Sequence, residues 1–197
     1  MRRTTERASG GNRPQKAADG RKGGKAATRK RRSCLLYAPT VQLDGEATVE
    51  VAAAPEAVYD LVADVTRMGE WSPECRRCAW ASETTRAVPG ARFRGWNRWK
   101  GMRWSRLNEV VVADRGQEFA FRTIPGFPYR DSTLWSYRFE PAPDGRATRV
   151  TESFNVVKAG PIIKLFERVS GRPDQTRAAL HATLARIKAA AESSMRA

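Results

Sequence analysis

Between residues 47 and 157 large apolar positions alternate with charged ones in short runs, the period-two pattern of half-buried strands. Strands are expected at 47–51, about 76–83, 91–99, 102–113, 117–124, 132–140 and 147–157. The clearest pair is 91–99 and 102–113, joined by a turn at Lys100-Gly101. On its first strand Phe93, Gly95, Asn97 and Trp99 share one face, and Arg92, Arg94, Trp96 and Arg98 the other. A glycine inside a strand marks a bend or a close approach. An Asn beside Phe93 needs a partner if it is buried. Apolar walls, a gap and a polar group suit a small-molecule pocket, and a plain twisted sheet with a glycine bend accounts for the same residues equally well.

Two regions change to a helical period. Val58, Leu61, Val62 and Val65 recur at i, i+3, i+4 and i+7, so a helix is expected over 55–64, with Pro55 at its first position. Thr66 to Pro73 reads as a short helical turn. Near the C-terminus, 161–169 reads as a short apolar helix. Pro173 opens a longer one, whose stripe is Leu180, Leu184, Ile187 and Ala191. Turns are expected at Arg115-Gly116 and Ala142-Pro143-Asp144-Gly145, and a loop at 124–128. The order is strand, two short helices, six strands, long helix: an α+β chain with one curved antiparallel sheet of about seven strands. Such a sheet must cover its apolar face, and the C-terminal helix is the element available to do so.

These elements and several motifs resemble the START-like (SRPBCC) superfamily, in its polyketide cyclase/dehydrase and lipid-transport branch. The matching residues run from Val49 through Pro55 to Asp64, then Trp71 to Cys75, Gly90 to Arg98, Trp135 to Phe139 and Thr148 to Phe154. The resemblance covers roughly 45–192. It implies a helix-grip fold, with a hydrophobic cavity for a lipid-like or aromatic ligand between sheet and C-terminal helix. It does not imply an enzyme, since much of the family only binds or carries.

Charge divides the chain. The net +15 over 197 residues suggests a nucleic-acid binder, yet residues 1–33 carry +10 of it, leaving +5 on the rest. Residues 1–40 read as a disordered basic tail, and 41–193 as the folded ligand-binding domain. Three accounts of the tail stand: weak salt-sensitive contact with polyanions through 1–33, a solubilising arm, or an upstream extension from an early start codon. Arg29 to Tyr37 imitates a secretory leader, but the apolar run is too short and Pro39 ends it. No run of 18 apolar residues crosses a membrane. Three cysteines fit a reducing compartment, and a cytoplasmic location is expected. Oligomeric state is left open.

Apolar lining candidates are Phe93, Trp99, Phe119, Phe121, Trp135, Phe139 and Phe154, with Gly95, Asn97, Trp104 and Tyr137 as further ligand contacts. Periodicity shows burial and not a void, so a solid core of the same residues is an open alternative. Val150, Glu152 and Phe154 share a face, which puts a carboxyl in apolar company. Glu152 with Tyr137 or Arg98 makes the candidate acid/base set for cyclase-type chemistry. Met68, Gly69 and Trp71, facing Phe127 and Tyr129 on the Pro-Gly-Phe-Pro loop, are expected to form a mobile lid. Cys75-Arg76-Arg77-Cys78 is a lone CxxC without the further ligands zinc needs, so neither metal nor cofactor is expected. His181, the only histidine, sits at the edge of the last helix's stripe, and no GxSxG elbow is present. The leading expectation is a binder or carrier of an apolar small molecule. The alternatives are a polyketide cyclase/dehydratase and a polyanion binder acting through the tail.

Overall fold

The computed structural model describes residues 44–81, 83–127, 130–143, 145–160 and 172–194. The basic tail, the short helix expected at 161–169, and Tyr129 lie outside these residues. Seven strands form one antiparallel sheet: β1 (Asp44–Val51), β2 (Cys75–Trp80), β3 (Arg92–Trp99), β4 (Met102–Asp114), β5 (Glu118–Thr123), β6 (Ser132–Pro141) and β7 (Thr148–Lys158). Their spatial order is β1-β7-β6-β5-β4-β3-β2, so the first two strands of the chain are the sheet's two edges. Between them run α1 (Pro55–Ala63), a 3-10 turn (Val65–Arg67) and α2 (Met68–Trp71). The last helix, α3 (Arg172–Ser194), packs on β1, β7, α1 and α2. This is the expected α+β helix-grip architecture, a curved sheet closed by a C-terminal helix.

Local chemistry explains the elements. Pro55 sits at the start of α1, where its missing N–H is no loss, and Val58, Leu61 and Val62 are buried along one stripe. Trp99 pairs with Met102 across a two-residue turn in which both Lys100 (φ 45°) and Gly101 (φ 83°) are left-handed, the twist that suits a tight hairpin. On α3 the expected stripe is buried: Leu180, Leu184 and Ile187 are at most 1% exposed and Ala191 is 6%.

The core sits between the concave face and the helices. Phe93 packs edge-on between Trp80 and Phe121, and Tyr59 of α1 meets Phe119 and Phe139 in the same way. Trp71 belongs to this core at 1% exposure, with the Arg67 guanidinium 5.5 Å from its ring. Its backbone carbonyl accepts a hydrogen bond from Arg186 of α3 at 3.3 Å. The expectation that Trp71 is a lid aromatic is therefore corrected: α2 is clamped between β2 and α3, which gives the ring a full set of partners. Phe127, the other aromatic of the expected lid, is 94% exposed and packs on nothing in this structure.

Gly69 shows how tightly α2 docks. A Cβ there would lie 2.7 Å from the Arg76 carbonyl oxygen, and backbone cannot step aside as a flexible side chain can. Gly69→Ala is expected to destabilise the protein by about 1–3 kcal/mol, read from urea unfolding. An unchanged midpoint would show that α2 is loosely held.

Candidate functional site

A cavity of about 240 Å³ lies between the concave face of the sheet, α2 and α3. Strand alternation selects its walls. Gly95 and Asn97 come from β3, Phe121 and Thr123 from β5, Trp135 and Tyr137 from β6, and Glu152 and Phe154 from β7. From β4 come Trp104, Arg106 and Asn108, and α3 closes the space with Thr176, Leu180 and Thr183.

Register then decides which of these residues meet. Phe121 lies opposite Trp135, and Trp135 opposite Phe154, so three rings line up across the sheet, the first pair stacked at 6.5 Å between centroids and the second tilted by 35° at 5.4 Å. Asn108 lies opposite Thr123, whose hydroxyl donates to Asn108 Oδ1 at 3.1 Å. Arg106 Nη1 is 2.9 Å from Asp131 Oδ2, and both side chains are roughly five-sixths buried.

The chemically distinctive pair is Tyr137 and Glu152, directly opposite each other on β6 and β7. Tyr137 Oη donates to Glu152 Oε1 at 2.7 Å. Both residues are buried, and Glu152 Oε2 has no hydrogen-bond partner. Burial pushes the Glu152 carboxyl up to about 8, against the smaller opposing effect of the Tyr137 hydrogen bond. Burial, then the adjacent Glu152, raises Tyr137 well above the usual phenol range. At neutral pH both groups are protonated. Tyr137 occupies Oε1 as donor, so the carboxyl proton resides on Oε2.

Of the residues singled out from sequence, Gly95, Asn97, Trp104, Phe121, Trp135, Tyr137, Glu152 and Phe154 line the cavity. Phe93, Phe119 and Phe139 do not. They face the same side of the sheet but lie farther along it, where Phe93 is buried against Trp80, and Phe119 and Phe139 against Tyr59. Trp99 is also outside the lining, its indole N–H donating to Gln175 of α3 at 2.8 Å. Arg98 is corrected: it is exposed, because alternation from Asn97 turns it to the convex face. The arginine in the cavity is Arg106, and the alternation that brings Trp104 inward also brings in Arg106 and Asn108. His181 is exposed and outside the lining. Cys75 and Cys78 line the cavity as buried thiols 3.4 Å apart. Their contact lowers Cys75 and, by sharing its hydrogen bond, pushes Cys78 up. Among the described residues no group of three His, Cys, Asp or Glu side chains is placed to hold a metal, and no helix is long and apolar enough to cross a membrane.

No curated protein matches the chain significantly. Solved structures do. The Polyketide_cyc-like protein Cgl2372 from Corynebacterium glutamicum is 29% identical over 78% of this chain and 93% of its own, with a TM-score of 0.51. TTHA0849 from Thermus thermophilus is 18% identical over 77% of this chain and 98% of its own, with a TM-score of 0.59. The Zhui aromatase/cyclase from a Streptomyces species is 20% identical over 78% and 96%, with a TM-score of 0.56. The last two likenesses show the fold alone. The model of the family described as polyketide cyclase / dehydrase and lipid transport matches residues 42–192, the whole sheet and nearly all of α3, and the chain belongs to that family.

Proposed function

We propose that this protein binds a small, mostly apolar molecule carrying a hydrogen-bond acceptor in the cavity between the sheet and α3. The observation that carries this reading is Glu152: a buried carboxyl whose second oxygen has no protein partner, beside a wall of three neighbouring aromatic rings. A dry cavity of about 150 Å³ admits benzene. One of about 240 Å³ therefore suits a ligand the size of two fused rings. With its proton on Oε2, Glu152 donates to a ketone or ether oxygen of the ligand.

The pair 1-tetralone and tetralin tests this, because the two bicycles differ only in the carbonyl. 1-Tetralone is expected to bind about fivefold more tightly at pH 6.5, one hydrogen bond's worth. Above pH 8 Glu152 loses its proton, the donor disappears and a negative charge enters the cavity. The affinity for 1-tetralone is then expected to fall about tenfold by pH 9.5, while Glu152→Gln, whose amide still donates, binds alike at both pH values. Failure of both bicycles to bind, with no apolar compound carried through purification in native mass spectrometry, would sink the proposal.

A second reading makes the cavity a cyclase/dehydratase active site, as the aromatase/cyclase among the similar folds suggests. Its specific support is the Tyr137–Glu152 contact of 2.7 Å, with a carboxyl near 8 that suits a general acid at neutral pH. Under this reading Glu152→Gln and Tyr137→Phe abolish turnover of a poly-β-ketone substrate and leave its binding intact. Under the binding reading there is no turnover to lose.

A further inference from the structure

We propose that Cys75, Cys78 and Met68 form a three-sulfur site for a soft monovalent cation of the copper(I) class, set in the cavity wall. On a regular strand the two cysteines of a CxxC point to opposite faces. In β2 they do not, because a bulge intervenes. Cys75 lies opposite Asn97, Arg77 opposite Trp96 and Cys78 opposite Gly95, so three steps along β2 span only two along β3. Both thiols therefore land on the cavity face, with Sγ atoms 3.4 Å apart.

Two further residues complete the arrangement. Gly95 faces the pair from β3: a Cβ there would meet Cys78 Sγ at 3.4 Å and Cys75 Sγ at 4.0 Å, ordinary contact distances. Met68 of α2 places its Sδ 3.7 Å from Cys78 Sγ. All three sulfur side chains line the cavity, which gives an ion a path to them.

The donor set selects the ion. Thiolate and thioether ligands favour copper(I), and zinc wants a fourth ligand, which the neighbouring described residues do not supply as His or carboxylate. With metal–sulfur bonds of about 2.3 Å, three sulfurs around a trigonal ion stand about 4 Å apart. The Cys75–Cys78 pair at 3.4 Å and the Cys78–Met68 pair at 3.7 Å each need an outward shift of a few tenths of an ångström, and the Met68 thioether swings on its flexible side chain to close the third edge with Cys75. Binding displaces the two thiol protons to solvent, and the site changes from neutral to a net charge of −1. A disulfide is the competing fate of the pair, but it leaves Met68 without a role.

The test uses the full chain carrying Cys34→Ser, which removes the third thiol, reduced and under anaerobic conditions. Copper(I) is presented as its bathocuproine disulfonate complex. One equivalent per chain is expected to transfer, with a sulfur-to-copper absorption band in the near ultraviolet. Met68→Leu conserves volume and keeps both thiols, and is expected to weaken binding about tenfold; Cys75→Ser or Cys78→Ser about 100-fold or more. The parent protein and Met68→Leu decide the question even if the serine variants fold poorly. Retention of all copper by the chelator overturns the site, as does a Met68→Leu protein that binds like the parent. Loss of both thiols to hydrogen peroxide, as a disulfide two hydrogens lighter, with no copper uptake, also overturns it and makes the pair a redox couple.

Discussion

Raising the pH from 5 to 8 is expected to destabilise the protein by roughly 3–4 kcal/mol, and Glu152→Gln to remove most of that dependence. The unfolded chain releases the Glu152 proton near the ordinary value of 4.5, whereas the native state keeps it up to about 8. Across this window the native state binds more protons than the unfolded one, so each pH unit costs the native state up to about 1.4 kcal/mol. The stability contributed by the protonated group is complete below the unfolded value and is lost as pH rises through 8. The low-lying carboxyls act elsewhere. Asp60, Glu70 and Glu109, held down by hydrogen bonds from Arg115, Arg67 and Arg122, lose their contribution at acid pH, as pH falls through their lowered values. Gln is the right probe because its amide oxygen still accepts from Tyr137. Urea unfolding at four pH values, for parent and variant, makes the measurement. A flat parent profile, or an equal slope in the variant, would show that solvent reaches Glu152 and that the cavity is wet at its base.

Trp71→Ala is expected to lower stability by about 3–5 kcal/mol, the usual loss for a large buried aromatic. Total stabilities of domains this size are about 5–15 kcal/mol, so the variant stands near its unfolding threshold at 37 °C. In the folded fraction, affinity for 1-tetralone should change little, because Trp71 is outside the cavity lining. Phe127→Ala is its counterpart. The side chain is 94% exposed, and the change should move stability by less than about 0.5 kcal/mol. These two aromatics, paired as a lid when only the sequence is read, should thus behave oppositely in urea and alike in ligand binding. Loss of affinity in Trp71→Ala at unchanged stability would restore the lid.

Where the sequence was legible, the cause was local. Val58, Leu61 and Val62 mark α1 because side-chain spacing along a helix depends only on the helix. Lys100-Gly101 marks a hairpin because Gly101, between two alternating runs, accepts the left-handed dihedral that a tight turn needs. Alternation put Glu152 beside Phe154 and Val150 on an inward face, and it does so whatever the neighbouring strands are. The same alternation carries Arg106 and Asn108 inward from Trp104, a signal present in the chain although Arg98, which is exposed, stands out more in the sequence.

Three features depended on contacts between distant segments. The β6–β7 register places Tyr137 against Glu152 rather than one pair away, and a shift of one residue would turn Glu152 to solvent. The bulge between Cys75 and Arg77 puts both thiols on one face, so a CxxC that reads as inert in a regular strand becomes a sulfur pair. Phe93, Phe119 and Phe139 differ from Phe121, Trp135 and Phe154 only in their distance along the sheet from the place where α3 stands off it. The sequence by itself determined which side chains face inward, because that follows from the geometry of one strand. Only the tertiary structure decided which inward residues fill a core and which surround a void, because a void is set by how far two separately folded surfaces stand apart.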